Sequence, residues 1–316
     1  VRALLIVNPV ATTASRRTRE VLAAALDRDL KLEVAHTSER GHAIALASQA
    51  RTDGMDLVVV LGGDGTVNEV VNGLLADGVH DSVPHLGVVP GGGTNVFARS
   101  LGIPRDPVEA TGALLDAIRA DQRRTIGLGQ VDDRWFTFSA GVGLDAAVVA
   151  AVDRRRAEGG KATPSAYVRT TLHEFFAGVD RRHAPIRVRV DPTESAELAG
   201  ARWEDRLHVL IVANTSPWTY LGERPVRPTP DASYDTGLDV YGLRRLRTVA
   251  TLRQVAQLLS RRDRLPHGRA VVSAHDLQEV RVDTDREVPV HVDGEYIGQR
   301  TRLRFAAVPA ALRVAR

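Results

Sequence analysis

Hydrophobic positions in the first third of the chain follow two alternating rhythms. Ala3 to Val7 (ALLIV) is a short apolar run ended by Asn8-Pro9, the pattern of a buried strand running into a loop. Arg16 to Leu30 then spaces Val21, Leu22, Ala25 and Leu26 at helical intervals, and Leu32 to Ala35 predicts a second strand. Gly41 to Arg51 predicts a second helix through Ile44, Leu46 and Ala47, and Leu57 to Leu61 (LVVVL) a third strand, apolar at every position. A helix over about Val67 to Leu75 and a strand over Leu86 to Val89 continue the repeat. Apolar strands interleaved with helices predict a parallel sheet covered on both faces.

From near Arg123 the pattern changes to short strands with period-two alternation. They are expected at Thr125 to Leu128, Trp135 to Ser139, Ile186 to Val190, Leu207 to Ala213, Leu238 to Leu243, Val280 to Asp283 and Val288 to Val292. Helical patterns interrupt at Leu144 to Arg156, Ser165 to Phe176 and Thr248 to Leu259, and Asp191 to Asp205 reads as a surface loop. The expected chain is therefore α/β, with a doubly wound parallel-sheet domain over residues 1–122 and a β-rich, sandwich-like second domain over 123–299. The segment 300–316 is expected to pack back on the first domain.

A composition of 43% apolar and 26% charged residues argues against wholesale disorder and a polytopic membrane protein. With no cysteine, disulfides, zinc ribbons, thiolate nucleophiles and iron–sulfur ligation are excluded. No apolar run approaches the ~20 residues of a spanning helix, and Val1 to Val10 reads as a strand and not a signal peptide, so a cytoplasmic protein is expected. The formal charge of +3 comes almost wholly from arginine, since only Lys31 and Lys161 are lysines. Such mild basicity suits a nucleotide or an anionic membrane surface and is too dispersed for nucleic acid. Arginines cluster at 154–156, 181–182, 244–245 with 247, and 261–262 with 264, either as a solvated face or as a patch that steers the chain onto anionic lipid.

The strongest local signal is Gly62-Gly63-Asp64-Gly65-Thr66-Val67-Asn68-Glu69, between a buried strand and a helix. Glycines there let backbone approach phosphate oxygens at a helix N-terminus, and Asp64 suits such a loop if a divalent cation lies between it and the phosphates; otherwise it caps the helix. Pro90-Gly91-Gly92-Gly93-Thr94-Asn95 follows the next strand, and Asn8 to Thr13 follows the first, so three loops share the carboxyl edge of one sheet, where open parallel sheets bind ligands. Late in the chain stands Asp293-Gly294-Glu295, which as a bare sequence is also a hairpin turn. Gly141-Val142-Gly143-Leu144-Asp145-Ala146 reads as a strand-to-helix turn, and Gly159-Gly160-Lys161-Ala162 lacks the remainder of a phosphate-binding P-loop.

GGDGTVNEV at Gly62 to Val70, with Asn8-Pro9, PGGGTN at Pro90 to Asn95, FSAGVGLDA at Phe138 to Ala146, PDASYDTGLDVY at Pro230 to Tyr241 and the late Asp-Gly-Glu, resembles the diacylglycerol kinase catalytic domain family in its bacterial soluble branch, related to the sphingosine and ceramide kinases. The resemblance covers essentially the whole chain and implies a nucleotide-binding domain of the NAD kinase and phosphofructokinase kind, followed by a lipid-substrate domain. It implies a kinase that moves the γ-phosphoryl group of ATP, with Mg2+, to diacylglycerol or a similar neutral lipid at a membrane surface. By the same resemblance Asn8, Pro9, Val10, Ala11, Thr12, Thr37, Gly62, Gly63, Asp64, Gly65, Thr66, Val67, Asn68, Gly93, Thr94 and Asn95 contact the nucleotide. Asp64 positions its magnesium, and Asp293 is the general base, with Glu295 supporting or sharing that role. Replacing Asp293 by Asn is then expected to lower turnover by ~10²- to 10⁴-fold with little loss of stability. A homodimer and peripheral attachment to the inner membrane face are compatible with this reading.

Three positions depart from the family pattern. Val10-Ala11-Thr12-Thr13 stands where a Ser-Gly is common, Val96 follows Asn95 where Asp is common, and Thr236 replaces an Asp of a structural magnesium site, leaving at most a weak site at Ser233, Asp235, Thr236 and Leu238. An NAD kinase-like enzyme, a sphingoid or ceramide kinase and a catalytically silent nucleotide- or lipid-binding protein are the alternatives. Phe175, Phe176, Trp218 and Tyr220 are candidates for an acyl-chain approach as well as for core.

Overall fold

The computed structural model describes residues 1–10, 15–158, 170, 173–174, 182–190, 205–260 and 265–316. The chain divides into two compact units, one formed by Val1–Leu128 with Pro309–Arg316, the other by Gly129–Val308.

In the first unit strands β1 (Arg2–Val7), β2 (Lys31–His36), β3 (Leu57–Gly62) and β4 (His85–Pro90) alternate with helices α1 (Arg16–Asp27), α2 (His42–Thr52) and α3 (Asp64–Leu74). The strands are parallel in the order β2-β1-β3-β4, with Val7 opposite both His36 and Leu61, and Leu61 opposite Val89. The four carboxyl ends therefore finish level. β3 is buried at every position, which is why its sequence is Leu and Val throughout up to the closing Gly62. Two further helices, α4 (Val96–Ser100) and α5 (Pro107–Arg119), follow; Asp106 caps α5 by accepting from the amides of Val108 and Glu109. The C-terminal residues return to this unit, where Val314 lies parallel beside Leu86.

The second unit begins within β5 (Arg123–Val131) and continues through β6 (Arg134–Phe136), β7 (Ser139–Gly143) and α6 (Leu144–Ala157). After these come β8 (Ile186–Val190), β9 (Asp205–Leu207), β10 (Val209–Ala213), β11 (Thr219–Leu221), β12 (Arg224–Val226), β13 (Leu238–Leu243), α7 (Thr248–Leu258), β14 (Val271–Leu277), β15 (Glu279–Val292) and β16 (Glu295–Ala315). Its sheet is antiparallel in the order β14-β13-β10-β7-β15-β16. β8 pairs with the first half of β15 and β7 with its last residues. The core includes Val142, Leu210, Val240, Val290 and an edge-on pair of Phe136 and Phe305, ring centres 6.4 Å apart.

Several expected elements differ in extent. The strand expected over Trp135 to Ser139 is broken at Thr137-Phe138, whose amides point to a carboxylate described below; Leu207 to Ala213 is interrupted at His208; and the two strands expected between Val280 and Val292 are one strand with shifted register. α3 starts at Asp64, three residues before the apolar pattern does. The helix expected over Ser165 to Phe176 and the loop expected from Asp191 lie almost wholly outside the described residues.

α2 and α3 pack closely through Gly73, where an added Cβ would lie 2.3 Å from the Ile44 carbonyl oxygen and 2.8 Å from the Ala47 methyl. Gly73→Ala is expected to destabilise the first unit by about 1–3 kcal/mol, read as a lowered melting temperature. An unchanged melting point would mean that the two helices separate without cost.

Candidate active site

At the carboxyl edge of the parallel sheet, Asn8 follows β1, Thr37 follows β2, Gly62-Gly63-Asp64 leads from β3 into α3, and Gly91 to Asn95 lies between β4 and α4. Backbone hydrogen bonds tie these loops together: Asn8 N–H donates to the Leu61 carbonyl, Thr37 N–H to Val7 and Gly91 N–H to Gly62. The two glycine loops touch main chain to main chain. A Cβ on Gly92 would lie 2.8 Å from the Gly63 Cα, and one on Gly63 3.2 Å from the Gly92 Cα, so neither position admits a side chain without backbone movement. At Gly65 and Gly93 an added Cβ would meet nothing within 4 Å, and both residues are exposed. The loops thus present open backbone at the N-terminus of α3, which suits a phosphate chain.

The polar residues of this motif hold the loops. Asp64 Oδ2 accepts from Val96 N–H at 2.9 Å and Oδ1 from Phe97 N–H at 3.1 Å, so this first residue of α3 caps α4. Glu69 does the same for α2, accepting from the amides of Gly41 (2.8 Å) and Ala43 (3.2 Å). Asn8 donates from Nδ2 to Thr66 Oγ1 at 3.0 Å, Asn95 closes the second loop through Gly92, and Asn68 is buried and bonded by Asn72. Pro9 and Val10 are exposed beside Asn8, Val67 is core, and Thr94 is half-buried; Ala11 and Thr12 lie outside the described residues. The Asp64 carboxylate, within the glycine loop, thus caps the helix that follows the second loop.

In the second unit Asp293-Gly294 is the two-residue turn between β15 and β16, both residues at positive φ (48° and 75°) as a type I′ hairpin requires. Asp293 is buried, and its carboxylate accepts four hydrogen bonds: Thr137 N–H (2.7 Å) and Oγ1–H (2.8 Å) on Oδ2, Phe138 N–H (3.0 Å) and Ser139 N–H (3.1 Å) on Oδ1. About four acceptor positions are all a carboxylate has. Burial pushes the Asp293 carboxyl above the usual carboxylate range, opposed by these donors, which favour the charged form. Glu295, the first residue of β16, is paired with the Arg134 guanidinium. A buried pair supports the hairpin from behind, His291 Nε2 to Asp145 Oδ2 at 2.7 Å, and a Cβ on Gly141 would overlap both groups. Asp153, also on α6, accepts from Tyr296 N–H at 3.3 Å.

The loop Ser233 to Leu238 closes on itself. Thr236 Oγ1 donates to the Ser233 carbonyl, Ser233 Oγ accepts from Asp235 N–H, and Gly237 N–H donates to Asp276 Oδ1. The buried Asp239 carboxylate, pushed up by its burial, is occupied by His275 Nδ1 and the Asp276 amide. Among the described residues no group of three or more His, Asp or Glu side chains could hold a metal ion.

Residues 2–131 match the diacylglycerol kinase catalytic domain, and residues 138–316 match the YegS C-terminal NAD kinase beta sandwich-like domain. The chain belongs to the family of diacylglycerol kinase-like lipid kinases. Relatives of the lipid kinase include the diacylglycerol kinase of Staphylococcus carnosus (strain TM300), 26% identical over 306 residues, 94% of this chain and 90% of that protein. The diacylglycerol kinase of Bacillus subtilis (strain 168) is 28% identical over 272 residues, 83% and 78% of the two chains. A crystal structure of a diacylglycerol kinase from Bacillus anthracis str. Sterne shares the fold, with TM-score 0.69, 20% identity and coverage of 99% and 96%.

Sequence reasoning on the lipid kinase missed Glu69, Thr137 and Arg134, because a cap or an ion-pair partner distant in sequence leaves no local signature. The positive-φ turn at Asp293-Gly294 was visible; the four donors were not. Asp293→Asn would set an NH2 group against N–H donors, so it is expected to cost about 1–3 kcal/mol of stability, contrary to the small loss expected from sequence. Thermal denaturation checks this: a melting point equal to wild type would show that the 137–139 amides find other acceptors.

Proposed function

We propose that the protein transfers the γ-phosphoryl group of ATP to the hydroxyl of diacylglycerol or a similar neutral lipid, giving phosphatidate or its analogue. The observation that carries this reading is the union of two features in a lipid kinase chain: level strand ends with open glycine loops at a helix N-terminus, and a buried carboxylate that fixes an Asp-Gly-Glu hairpin. Phosphoryl transfer asks for positioning and a proton acceptor, without a covalent nucleophile, and these are what the residues offer.

In the proposed reaction the lipid hydroxyl oxygen attacks the γ-phosphorus, the bond to the bridging oxygen breaks, and ADP departs. The backbone of Gly62 to Thr66 and Gly93-Thr94 would orient the phosphates, with Asn8 and Thr37 flanking them. Magnesium, when bound, offsets phosphate charge, and it would be held chiefly by the nucleotide, since Asp64 is engaged with α4. The hydroxyl proton passes to the Asp-Gly-Glu hairpin. Asp293, whose four donors also fix the turn, is the proposed acceptor, and Glu295, tied to Arg134, shares that role.

The test is incubation of the purified protein with Mg2+ and γ-labelled ATP against diacylglycerol, monoacylglycerol, sphingosine, ceramide and NAD. Label is expected in a glycerolipid and is expected to fall ~10²- to 10⁴-fold in Glu295→Gln. Label in NAD alone would replace the reading with an NAD kinase, and ATP binding without transfer to any acceptor would support a silent binding protein.

The pH dependence follows from the buried carboxyl. Activity requires ionised Asp293 to accept its four donors, and a carboxyl held above its ordinary value keeps its proton to higher pH. The acid limb of kcat is therefore expected above the ~3.9 of a free aspartate, with activity lost as pH falls through it. A limb at or below that value would dissociate Asp293 from turnover.

A further inference from the structure

Helix α7 is built inside out. Its buried side chain is Gln254, whereas Val249, Leu252 and Val255 are 82%, 59% and 44% exposed. The inward face is fixed by polar bonds: Gln254 Nε2 and Gln257 Nε2 donate to the His267 carbonyl at 3.0 and 3.2 Å, and His267 N–H donates to Gln257 Oε1 at 2.9 Å. Rotation to bury the valines would break these bonds. At about 100° per residue, Val249, Leu252, Val255 and the exposed Ala256 share one side of the helix, opposite Gln254.

The sequence that carries this stripe has charge of one sign. Residues 241–260 contain four arginines and no acidic residue. Arg244 is paired with Asp205, while Arg245, Arg247 and Arg253 are exposed and make no ion pair among the described residues. An apolar stripe edged by arginine is the pattern of a helix lying in the interface of an anionic bilayer. A symmetric contact with a second copy would instead bring these arginines together with no acid between them.

We propose that α7 docks the protein on anionic lipid, with Val249, Leu252 and Val255 entering the acyl boundary and Arg245, Arg247 and Arg253 meeting headgroup phosphates. This rests on the lipid-kinase reading only in that the substrate then lies in the same surface. Co-sedimentation of the full chain with phosphatidylcholine vesicles, with and without phosphatidylglycerol, tests it. Binding is expected on the anionic vesicles, weakened about tenfold or more by Leu252→Glu and about fivefold per arginine in Arg245→Ala, Arg247→Ala and Arg253→Ala. These exposed changes are expected to leave the melting temperature unaltered. Equal binding by wild type and Leu252→Glu would overturn the proposal, as would a Leu252→Glu protein that changes oligomeric mass but binds vesicles normally. Phosphorylation of dispersed short-chain diacylglycerol separates the two readings: equal rates in wild type and Leu252→Glu, with vesicle binding lost, support docking, while failure of wild type on that lipid overturns the substrate and leaves vesicle binding to decide the docking.

Discussion

The first unit depends on helix α3 holding its neighbours by their unsatisfied amides. The first N–H groups of any helix lack partners within it, and leaving them without acceptors costs free energy. Asp64 supplies acceptors to α4 and Glu69 supplies them to α2, each with both oxygens. One helix thus sets the entry of two others. With these three fixed, the loop after β3 and the loop after β4 are brought into main-chain contact at Gly63 and Gly92, the one spacing that a side chain at either position would forbid. The open backbone at Gly65 and Gly93 is a consequence of that contact.

The second unit solves a related problem with a buried charge. A carboxylate removed from water is costly unless its lone pairs are filled. Asp293 meets that condition where a strand is interrupted: Thr137 and Phe138 separate β6 from β7 along the chain and turn their amides to the carboxylate. The broken strand and the tight turn are one device, joined through the Asp293 carboxylate. Asp145 with His291, and Asp153 with the Tyr296 amide, attach the same hairpin to α6. A glycine at 141 is what leaves room for the first of these contacts.

Much of this was legible in the sequence, and the limits have physical causes. β1, β3 and β4 were readable because strands buried on both faces must be apolar at every position. The glycine motifs were readable because close main-chain approach excludes Cβ. β16 carries Arg300, Arg302 and Arg304 along an exposed face and gave no apolar signal of its length. α4 is too short to show a period, and α5 was passed over although Asp106-Pro107 is a strong start signal. The roles of Asp64 and Glu69 could not be read, since their partners lie about 30 residues away and offer backbone amides, which every residue has.

That last point bears on how such motifs are interpreted. In GGDGT and Asp-Gly-Glu the aspartates draw attention as metal ligand and base, yet both have their oxygens committed to amides within their own unit. A carboxylate that accepts from several backbone amides fixes what surrounds it, and its removal is expected to disturb stability and turnover together. Glu295 of the same hairpin is instead tied to the Arg134 guanidinium. Loss of activity on replacing a motif aspartate is therefore weak evidence of proton transfer in this fold unless the melting point is measured beside it, because the replacement also removes the hydrogen bonds that hold the surrounding backbone.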